Sequence, residues 1–351
     1  MELAKKDIRA FSKEALQNFF KAEGHKEFRA SQVYQWLWNK GVHDFDKMTN
    51  LSKDTRLLLE KHFTINHIAV DKQQRSKDGT FKNAIKLHDN RIVESVMIPT
   101  KDRTTACVSS QVGCSLDCRF CATSQLERMR NLNMDEIFDQ VVAIDQQSKT
   151  YFNIPLSNIV FMGMGEPLMN YNNVLGAIDK ITSSEGLRMA SKRITLSTSG
   201  IPKLIRKMAD DGVKFNLAVS LHSAIQETRE KIMPFSKKFP VHELMSSLEY
   251  WYKATQKMVT IEFIVWKGIN DNLDEIRALI NFCRKFPSKV NLIEYNPIGD
   301  DTFEQASKEI MSMYQKKLTS ARITNTIRRS RGKDIDAACG QLANKLFKNN
   351  S

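Results

Sequence analysis

Three cysteines with the spacing C-x3-C-x2-C lie close together in the first half of the chain. Cys114, Cys118 and Cys121 are half of the six cysteines in 351 residues. A short loop with this spacing can turn three sulfurs toward one point, and thiolates favour zinc or an iron–sulfur cluster. A closed zinc site needs four ligands, whereas three cysteines on a four-iron cluster leave one iron free for another ligand. The spacing favours such a cluster; a zinc site completed from elsewhere and chance clustering are the alternatives.

The cysteine content and the N-terminal sequence indicate a reducing compartment. A disulfide framework is not expected in a long chain with few cysteines. The start, Met1–Asp7, mixes charges and lacks the apolar core of a signal peptide. The apolar runs are strand-sized, far shorter than a membrane span. We therefore expect a cytoplasmic protein without a membrane segment.

The charge balance indicates a polyanionic partner. Lysine and arginine number 53 against 40 acidic residues, which gives a net charge of +13. The sequence pI of about 9.4 is in the range of nucleic-acid-binding domains. The alternative is a generically basic soluble protein, because hydrophobic and charged residues, 41% and 26%, are those of an ordinary globular chain.

Residues 1–75 are predicted to form a small, basic and mostly helical unit. Apolar residues recur at helical spacing from Phe11 to Phe20, and Ser31 and Ser52 are placed to cap two further helices. Basic residues alternate with the aromatic side chains of this unit. It is interpreted either as an accessory domain that contacts RNA or as an ordinary helical cap with solvated lysines.

Residues 76–103 are predicted to form a β-hairpin extension. Its strands are Thr80–Leu87 and Arg91–Ile98, joined by a turn at Asp89-Asn90. Glu94 lies inside the apolar second strand. A carboxylate there is costly unless it is paired or faces water.

Residues 104–330 alternate between strands and helices. The predicted strands are Thr104–Ser109, Asn158–Met162, Arg193–Thr198, Lys214–Ser220, Val259–Val265 and Val290–Tyr295, with a further extended run at Arg322–Arg328. The predicted helices are Met134–Gln147, Val174–Thr182, Ile201–Asp211, Val241–Thr255, Leu273–Phe286 and Thr302–Thr319. Six β/α repeats predict an α/β fold with a parallel sheet and right-handed crossovers. A closed barrel needs eight units, so we expect an open partial (β/α)6 barrel, followed by a C-terminal segment, 331–351.

In such folds the chemistry gathers at the carboxyl ends of the strands. The cysteine loop follows the first strand. Polar or glycine-containing strand ends follow on the others: Gly163, Gly165, Glu166, Ser197, Ser220, Leu221, His222 and Asn296. The GxG at Gly163–Gly165 is only a weak dinucleotide signal, because Pro167 interrupts it. The two glycines let the backbone approach a ligand, and Glu166 can accept a hydrogen bond from an amine.

Cys339 lies in the C-terminal segment between small residues and Gly340. A cysteine beside alanines is usually a packed small hydrophobic residue. The flanking glycines and nearby charges argue for an accessible turn instead.

Together these residues resemble the radical S-adenosylmethionine enzymes. Within them the chain is similar to the RlmN-type family, the dual-specificity methyltransferases of adenine C2 in 23S rRNA and tRNA. The resemblance extends over essentially the whole chain. Its most specific matches are Cys107–Cys114, Gly163–Pro167 and Asp334–Leu342.

The resemblance implies a [4Fe-4S] cluster held by the three loop cysteines. Its open iron would chelate the amino and carboxylate groups of S-adenosylmethionine, two molecules of which are used per turnover. Gly165 and Glu166 would hold the methionine end. The rest of that site would be lined by Ser197, Ser220, Leu221, His222 and Asn296.

The resemblance also implies the roles of three further residues. Cys339 would take a methyl group from one S-adenosylmethionine. Reductive cleavage of a second would give a 5′-deoxyadenosyl radical that removes a hydrogen from this methyl group, so that the methylene carbon adds to C2. Glu94 would take the C2 proton, a role suited to a carboxylate whose pKa is raised by burial. Cys107 would attack the Cys339 sulfur, release the product and leave a disulfide to be reduced. An electron donor such as flavodoxin and a monomeric state are expected.

The chain departs from the family pattern after the cysteine loop. Ser124 and Glu127 stand where the family has glycines, while Arg130–Leu132 is retained. The two replacements alter the expected shape of this loop and any RNA contact made there, but they remove no ligand of the cluster.

Two other functions are considered. One is the C8-methylating relative of the antibiotic-resistance type; Val112 and Pro167 favour the C2 type. The other is a non-catalytic iron–sulfur or zinc RNA-binding protein, which would not explain Glu94, Cys107 and Cys339 together.

Overall fold

The structure, a computed structural model, describes residues 5–299 and 302–344. Within these ranges the strands are β1 Lys6–Asp7, β2 Phe63–Thr64, β3 Ala69–Arg75, β4 Phe81–Lys86, β5 Ile92–Thr100, β6 Arg103–Cys107, β7 Gln111–Val112, β8 Arg130–Asn131, β9 Asn158–Phe161, β10 Ile194–Thr198, β11 Asn216–Ser220, β12 Val259–Ile264, β13 Ser288–Ile293 and β14 Thr324–Arg328. The α-helices are α1 Lys13–Ala22, α2 Phe28–Tyr34, α3 Lys53–His62, α4 Met134–Phe152, α5 Tyr171–Thr182, α6 Pro202–Asp210, α7 Gln226–Ile232, α8 Val241–Thr255, α9 Leu273–Cys283 and α10 Lys308–Ser320.

A ten-stranded mixed sheet organises the fold, and its parallel part is the predicted partial barrel. The strand order of this part is β6-β9-β10-β11-β12-β13-β14, with every neighbouring pair parallel. The α/β barrel prediction is confirmed. The extended run predicted at Arg322–Arg328 contains β14, which is a seventh parallel strand beside β13. Among the described residues the strand order ends at β14, so the barrel formed by them is open.

Burial and capping explain how the barrel elements form. All six residues of β12 are buried, as expected for a parallel strand with helices over one face and the barrel interior on the other. A capping box between Asn133 and Glu136 starts α4. Helix α10 begins at Lys308, later than the predicted Thr302, because the Ser307 hydroxyl accepts a hydrogen bond from the Ile310 amide and caps it there.

An antiparallel extension joins the barrel through β6. Strands β4 and β5 form the predicted hairpin, and Asn90 takes the positive φ of +63° that its turn needs. A third strand, β3, pairs with β4, although the sequence division placed Ala69–Arg75 in the helical unit. Its polar, mostly exposed residues carry no apolar alternation, so the pattern did not indicate a strand.

The N-terminal unit packs against helix α4 of the barrel. Ser52 caps α3 as predicted, by accepting a hydrogen bond from the Thr55 amide at 3.2 Å. Helix α2 begins at Phe28 rather than after Ser31, and it continues into a π-helical turn over Gln35–Asn39. The buried Trp38 ring of this turn meets Phe138 of α4 edge to face, with centroids 5.2 Å apart.

Across residues 5–299 and 302–344, no helix combines the length and the apolar character needed to cross a bilayer.

Candidate active site

A cavity opens at the carboxyl ends of the parallel strands and collects most of the residues predicted for the site. The predicted residues that line it are Cys114, Cys118, Cys121, Gly165, Glu166, Ser197, Ser220, His222, Asn296 and Cys339. We call it the mouth cavity. Among the described residues, Glu94, Cys107 and Leu221 lie outside its lining. Ten of the residues predicted for the site therefore line one cavity.

The cysteine loop is folded back on itself beside this cavity. Strands β7 and β8 pair on either side of it. Gly113 has φ +76°, and a Cβ there would lie 2.2 Å from the Glu127 carbonyl oxygen, so only glycine fits. The Ser124 hydroxyl lies 2.6 Å from the Cys118 carbonyl oxygen and 2.7 Å from that of Cys121, and donates to one of them at a time. The serine that replaces a family glycine thus stabilises the loop.

The three loop thiols are close to one another and free. Burial raises the pKa of the Cys114 thiol to about 12 and that of Cys118 well above its usual range, and the neighbouring sulfurs act in the same direction. Burial also raises the pKa of Cys121. No three His, Cys, Asp or Glu side chains in the described part of the chain converge tightly enough to hold a single metal ion.

This donor set fits an iron–sulfur cluster. In a four-iron cluster each thiolate binds a different iron, so the sulfurs need not converge as they do around zinc. Metal binding would deprotonate the thiols that burial keeps neutral. The buried Arg229 guanidinium counteracts the rise in the pKa of Cys118. Cys114, Cys118 and Cys121 are therefore suited to hold the cluster that the resemblance implies.

The turn after β9 places the backbone of Gly165 and the side chain of Glu166 in the wall of the mouth cavity. Gly165 has φ +94°, and a Cβ there would lie 2.5 Å from the Cβ of Gln111. The Glu166 carboxylate accepts hydrogen bonds from the Thr198 hydroxyl at 2.7 Å, the Ser199 amide at 2.8 Å and the Leu168 amide at 3.0 Å. Both of its oxygens are therefore engaged by the protein, and Glu166 fixes the ends of β9 and β10 relative to each other.

His222 is held as a neutral ring. Its Nδ1 accepts a hydrogen bond from the Ile264 amide at 3.1 Å, which leaves the ring proton on Nε2. Burial lowers the pKa of His222 to about 3. Phe120 of the cysteine loop packs edge to face on the ring, with centroids 4.8 Å apart. The neighbouring Leu221 is fully buried in the core and contributes packing.

Asn296 and Cys339 meet across the cavity. The Asn296 side-chain amide donates to the Cys339 carbonyl oxygen at 3.2 Å. Its Oδ1 is buried and has no hydrogen-bond partner in the described structure. Cys339 is exposed to the cavity, and it also lines a second cavity inside the barrel, below the mouth. Surrounding protein atoms nevertheless desolvate its thiol and raise its pKa.

Cys107 ends β6 beside the mouth cavity. Its thiol is buried, its pKa is raised to about 12 by burial, and the nearby Cys339 adds to the rise. The two sulfurs are free thiols and do not form a disulfide.

Glu94 lies on β5, beneath residues 343 and 344. Its Oε2 accepts hydrogen bonds from the amides of Ala343 at 2.9 Å and Asn344 at 3.1 Å. Burial raises the pKa of Glu94, although the buried Lys82 ammonium, 3.8 Å from its Oε1, acts in the opposite direction. The carboxylate is therefore paired, as its place in an apolar strand requires.

Three charged residues at the site were missed by the sequence analysis. The buried Arg229 donates to the carbonyl oxygens of Ser199 at 2.6 Å and Ser220 at 3.0 Å, and thereby joins two strand ends. Glu262 and Arg328 line the mouth cavity 3.8 Å apart. Glu262 was detectable, because it is a carboxylate inside an apolar strand, the same signal that singled out Glu94.

Comparison with known proteins agrees with this geometry. A family model described as the ribosomal RNA large subunit methyltransferase N-terminal domain matches residues 6–65, and one described as the radical SAM superfamily matches residues 108–283. A solved structure, a radical SAM methyltransferase from Sphaerobacter thermophilus, superposes with a TM-score of 0.90 at 33% identity, covering 96% of this chain and 99% of that one.

Two relatives have nearly the same length as this chain. The probable dual-specificity RNA methyltransferase RlmN of Christiangramia forsetii is 66% identical over 341 residues, 97% of each chain. The dual-specificity RNA methyltransferase RlmN of Geotalea uraniireducens is 40% identical over 348 residues, 99% of each chain. With the cysteine loop and the mouth cavity in place, these matches show that the chain belongs to the RlmN family of radical S-adenosylmethionine methyltransferases.

Proposed function

We propose that this enzyme methylates C2 of an adenine in 23S rRNA, and of an adenine in certain tRNAs, through a methylated cysteine. The observation that carries the proposal is the position of Cys339, which lines the same cavity as the three loop cysteines and lies near Cys107. A simple RNA-binding protein has no need of this arrangement.

Each part of the mouth cavity has an assigned role in this proposal. Cys114, Cys118 and Cys121 hold the [4Fe-4S] cluster, which supplies the electron that cleaves S-adenosylmethionine. The turn at Gly165 and Glu166 holds the methionine end through its backbone, since the carboxylate is engaged elsewhere. The remaining contacts come from Ser197, Ser220, His222 and Asn296, while Leu221 supports them from the core.

The two cysteines outside the loop carry the methyl group and release the product. The Cys339 sulfur accepts a methyl group from one S-adenosylmethionine, and a second molecule is consumed when this carbon is activated. Once the carbon is bonded to adenine C2, the adduct gives back the one electron spent on the cleavage, and the C2 proton leaves to Glu94. The Cys107 thiolate then attacks the Cys339 sulfur, so that an S–S bond forms as the S–C bond breaks, and the released carbon takes up a proton to become the C2 methyl group. Two electrons and two protons from an external reductant restore the thiols.

The proposed partners are inferred from the net charge of the chain and from its N-terminal unit. A net charge of +13 suits an RNA substrate, and the N-terminal unit is assigned to folded RNA, which is recognised mainly by shape and phosphates. The target base is expected to be extruded into the cavity. An electron donor such as flavodoxin, a monomeric state and a cytoplasmic location complete the proposal.

The test is an anaerobic reaction of the reconstituted protein with S-adenosylmethionine, reductant and protein-free 23S rRNA. The RNA is digested, and methylated nucleosides are identified by mass spectrometry. We expect 2-methyladenosine from the wild type and none from Cys339→Ala, which should retain the cluster absorbance. 8-Methyladenosine would assign the chain to the C8 type. No methylated RNA from a cluster-loaded enzyme that still forms 5′-deoxyadenosine would refute the substrate assignment.

A further inference from the structure

The C-terminal segment that carries Cys339 is fastened to the antiparallel extension. We call residues 331–344 the acceptor segment. At its start, the Gly332 amide donates to the Asp78 carboxylate at 2.9 Å, and the Asp334 carboxylate accepts from the Ser76 hydroxyl at 2.5 Å. At its end, the Asn344 side chain donates to the Ile92 carbonyl oxygen at 3.0 Å. These contacts join parts of the chain that are far apart in sequence.

A buried ion pair lies beneath the middle of this segment. Lys82 on β4 and Glu94 on β5 are diagonal neighbours on one face of the hairpin, because Glu94 is opposite Ala84. Their charged atoms are 3.8 Å apart, and both side chains are almost completely buried. Burial of two charges is costly unless further hydrogen bonds satisfy them.

The acceptor segment supplies such bonds on both sides of Cys339. The Lys82 ammonium donates to the Asp336 carbonyl oxygen at 3.5 Å, three residues before the cysteine. Glu94 Oε2 accepts from the amides of Ala343 and Asn344, after the cysteine. The Lys82–Glu94 pair thus contacts the acceptor segment both before and after Cys339.

The same bonds conflict with the role of Glu94 as a base. Oε2 is engaged by two amides, Oε1 is buried, and the carboxylate does not line the mouth cavity. An adenine cannot reach Glu94 while residues 343 and 344 cover it. Presentation of Cys339 and proton abstraction therefore require different positions of the acceptor segment.

We infer that the Lys82–Glu94 pair is a clasp that holds the acceptor segment closed while Cys339 receives its methyl group. RNA binding releases residues 343 and 344 and so frees Glu94 for the adenine. This inference rests on the proposed function. It assigns Lys82 as a positioning residue and gives Glu94 two successive roles.

The closed state is tested by hydrogen exchange of the cluster-loaded protein without RNA. In the double variant Lys82→Met/Glu94→Gln, which leaves no lone buried charge, we expect peptides of the acceptor segment to exchange about tenfold faster, with barrel peptides unchanged. Lys86→Met, at an exposed position of β4, is the matched control and should exchange like the wild type. Wild-type exchange of the acceptor segment in the double variant would overturn the clasp.

The open state is tested by adding protein-free 23S rRNA to the wild type, without S-adenosylmethionine. Binding is verified in the same sample by sedimentation. We expect exchange in a peptide that contains Ala343 and Asn344 to rise about tenfold on RNA binding. Unchanged or slower exchange with RNA bound would overturn the release. A failure of RNA to bind would refute the proposed function instead, while the RNA-free comparison would still test the clasp.

Discussion

Buried carboxylates are prominent among the residues at and next to this site. Glu94 and Glu262 both interrupt apolar strands, and burial raises the pKa of each. Glu94 accepts from two backbone amides through Oε2, and Glu262 accepts from the Asn291 side chain at 2.9 Å; in the described structure each leaves its other oxygen without a hydrogen bond, but only Glu262 lines the mouth cavity. A carboxylate with an unused acceptor at a cavity wall is available to a donor on a ligand.

His222 should make the stability of the protein fall in mild acid. Its pKa is about 3 when folded, against 6.5 as the usual value, so below pH 6.5 only the unfolded chain takes up the proton. Between pH 7 and pH 5 this costs about 2 kcal/mol of unfolding free energy. His222→Asn keeps an acceptor for the Ile264 amide and tolerates the φ of +58°.

Urea unfolding at the two pH values measures this effect. The wild type should lose about 2 kcal/mol more than His222→Asn on going from pH 7 to pH 5. An equal loss in both proteins would show that His222 is not the group responsible.

At the scale of elements, the turn after β9 needs glycine at position 165 because the backbone has a positive φ there and because a Cβ would clash with Gln111. Gly165→Ala places a methyl group at positive φ and against Gln111, whereas Gly212→Ala, at φ +65°, has no atom within 4 Å of the new Cβ. Both should lose about 1 kcal/mol of stability from the backbone. Only Gly165→Ala should weaken S-adenosylmethionine binding, by about tenfold, as a distorted binding turn would.

Equilibrium dialysis with labelled S-adenosylmethionine compares these two variants. Equal affinity for both would mean that the turn at Gly165 does not hold the ligand.

Elements that are defined by local residue patterns could be predicted from the sequence. Elements that are defined by contacts between distant parts of the chain could not. The cysteine loop and the strand ends were identified because residue type and spacing carry the information locally. Strand β3 was missed because its residues are polar and its pairing with β4 defines it. The contact of Glu94 with Ala343 and Asn344 could not be predicted, since no local pattern links residues about 250 positions apart. The sequence identified Glu94 as unusual, but not its partner.

At the scale of the whole molecule, a buried arginine fastens the N-terminal unit to the barrel. The Arg9 guanidinium donates to Asp139 at 2.8 and 2.9 Å and to Asp135 at 3.0 Å, both on α4. Arg9→Met would leave these carboxylates without their cation and should cost about 3–5 kcal/mol of unfolding free energy.

The matched control is Arg277→Met, which removes an exposed ion pair with Asp274 and should cost less than about 1 kcal/mol. Thermal or urea unfolding separates the two cases. A small effect of Arg9→Met would show that other contacts, such as the Trp38–Phe138 packing and the Asn39–Gly186 hydrogen bond, suffice to hold the unit.

The net charge of the whole chain should make RNA binding strongly dependent on salt. If about six phosphates are contacted, affinity should fall roughly 1,000-fold between 50 and 200 mM salt, because bound counterions are released. Filter binding with Cys339→Ala measures affinity without turnover. A flat salt dependence would argue against recognition through phosphates.

The acceptor segment is held by residues that lie far earlier in the chain, so its contacts can form only late in synthesis. The cysteine loop, the barrel strands and the hairpin with Lys82 and Glu94 all leave the ribosome before Cys339 does. Until then the Lys82–Glu94 pair lacks the backbone groups that satisfy it, and the proposed methyl acceptor is not yet present. Under the proposed function, a nascent chain can therefore assemble its metal centre first and gains the ability to transfer a methyl group only when residues 343 and 344 close over the hairpin.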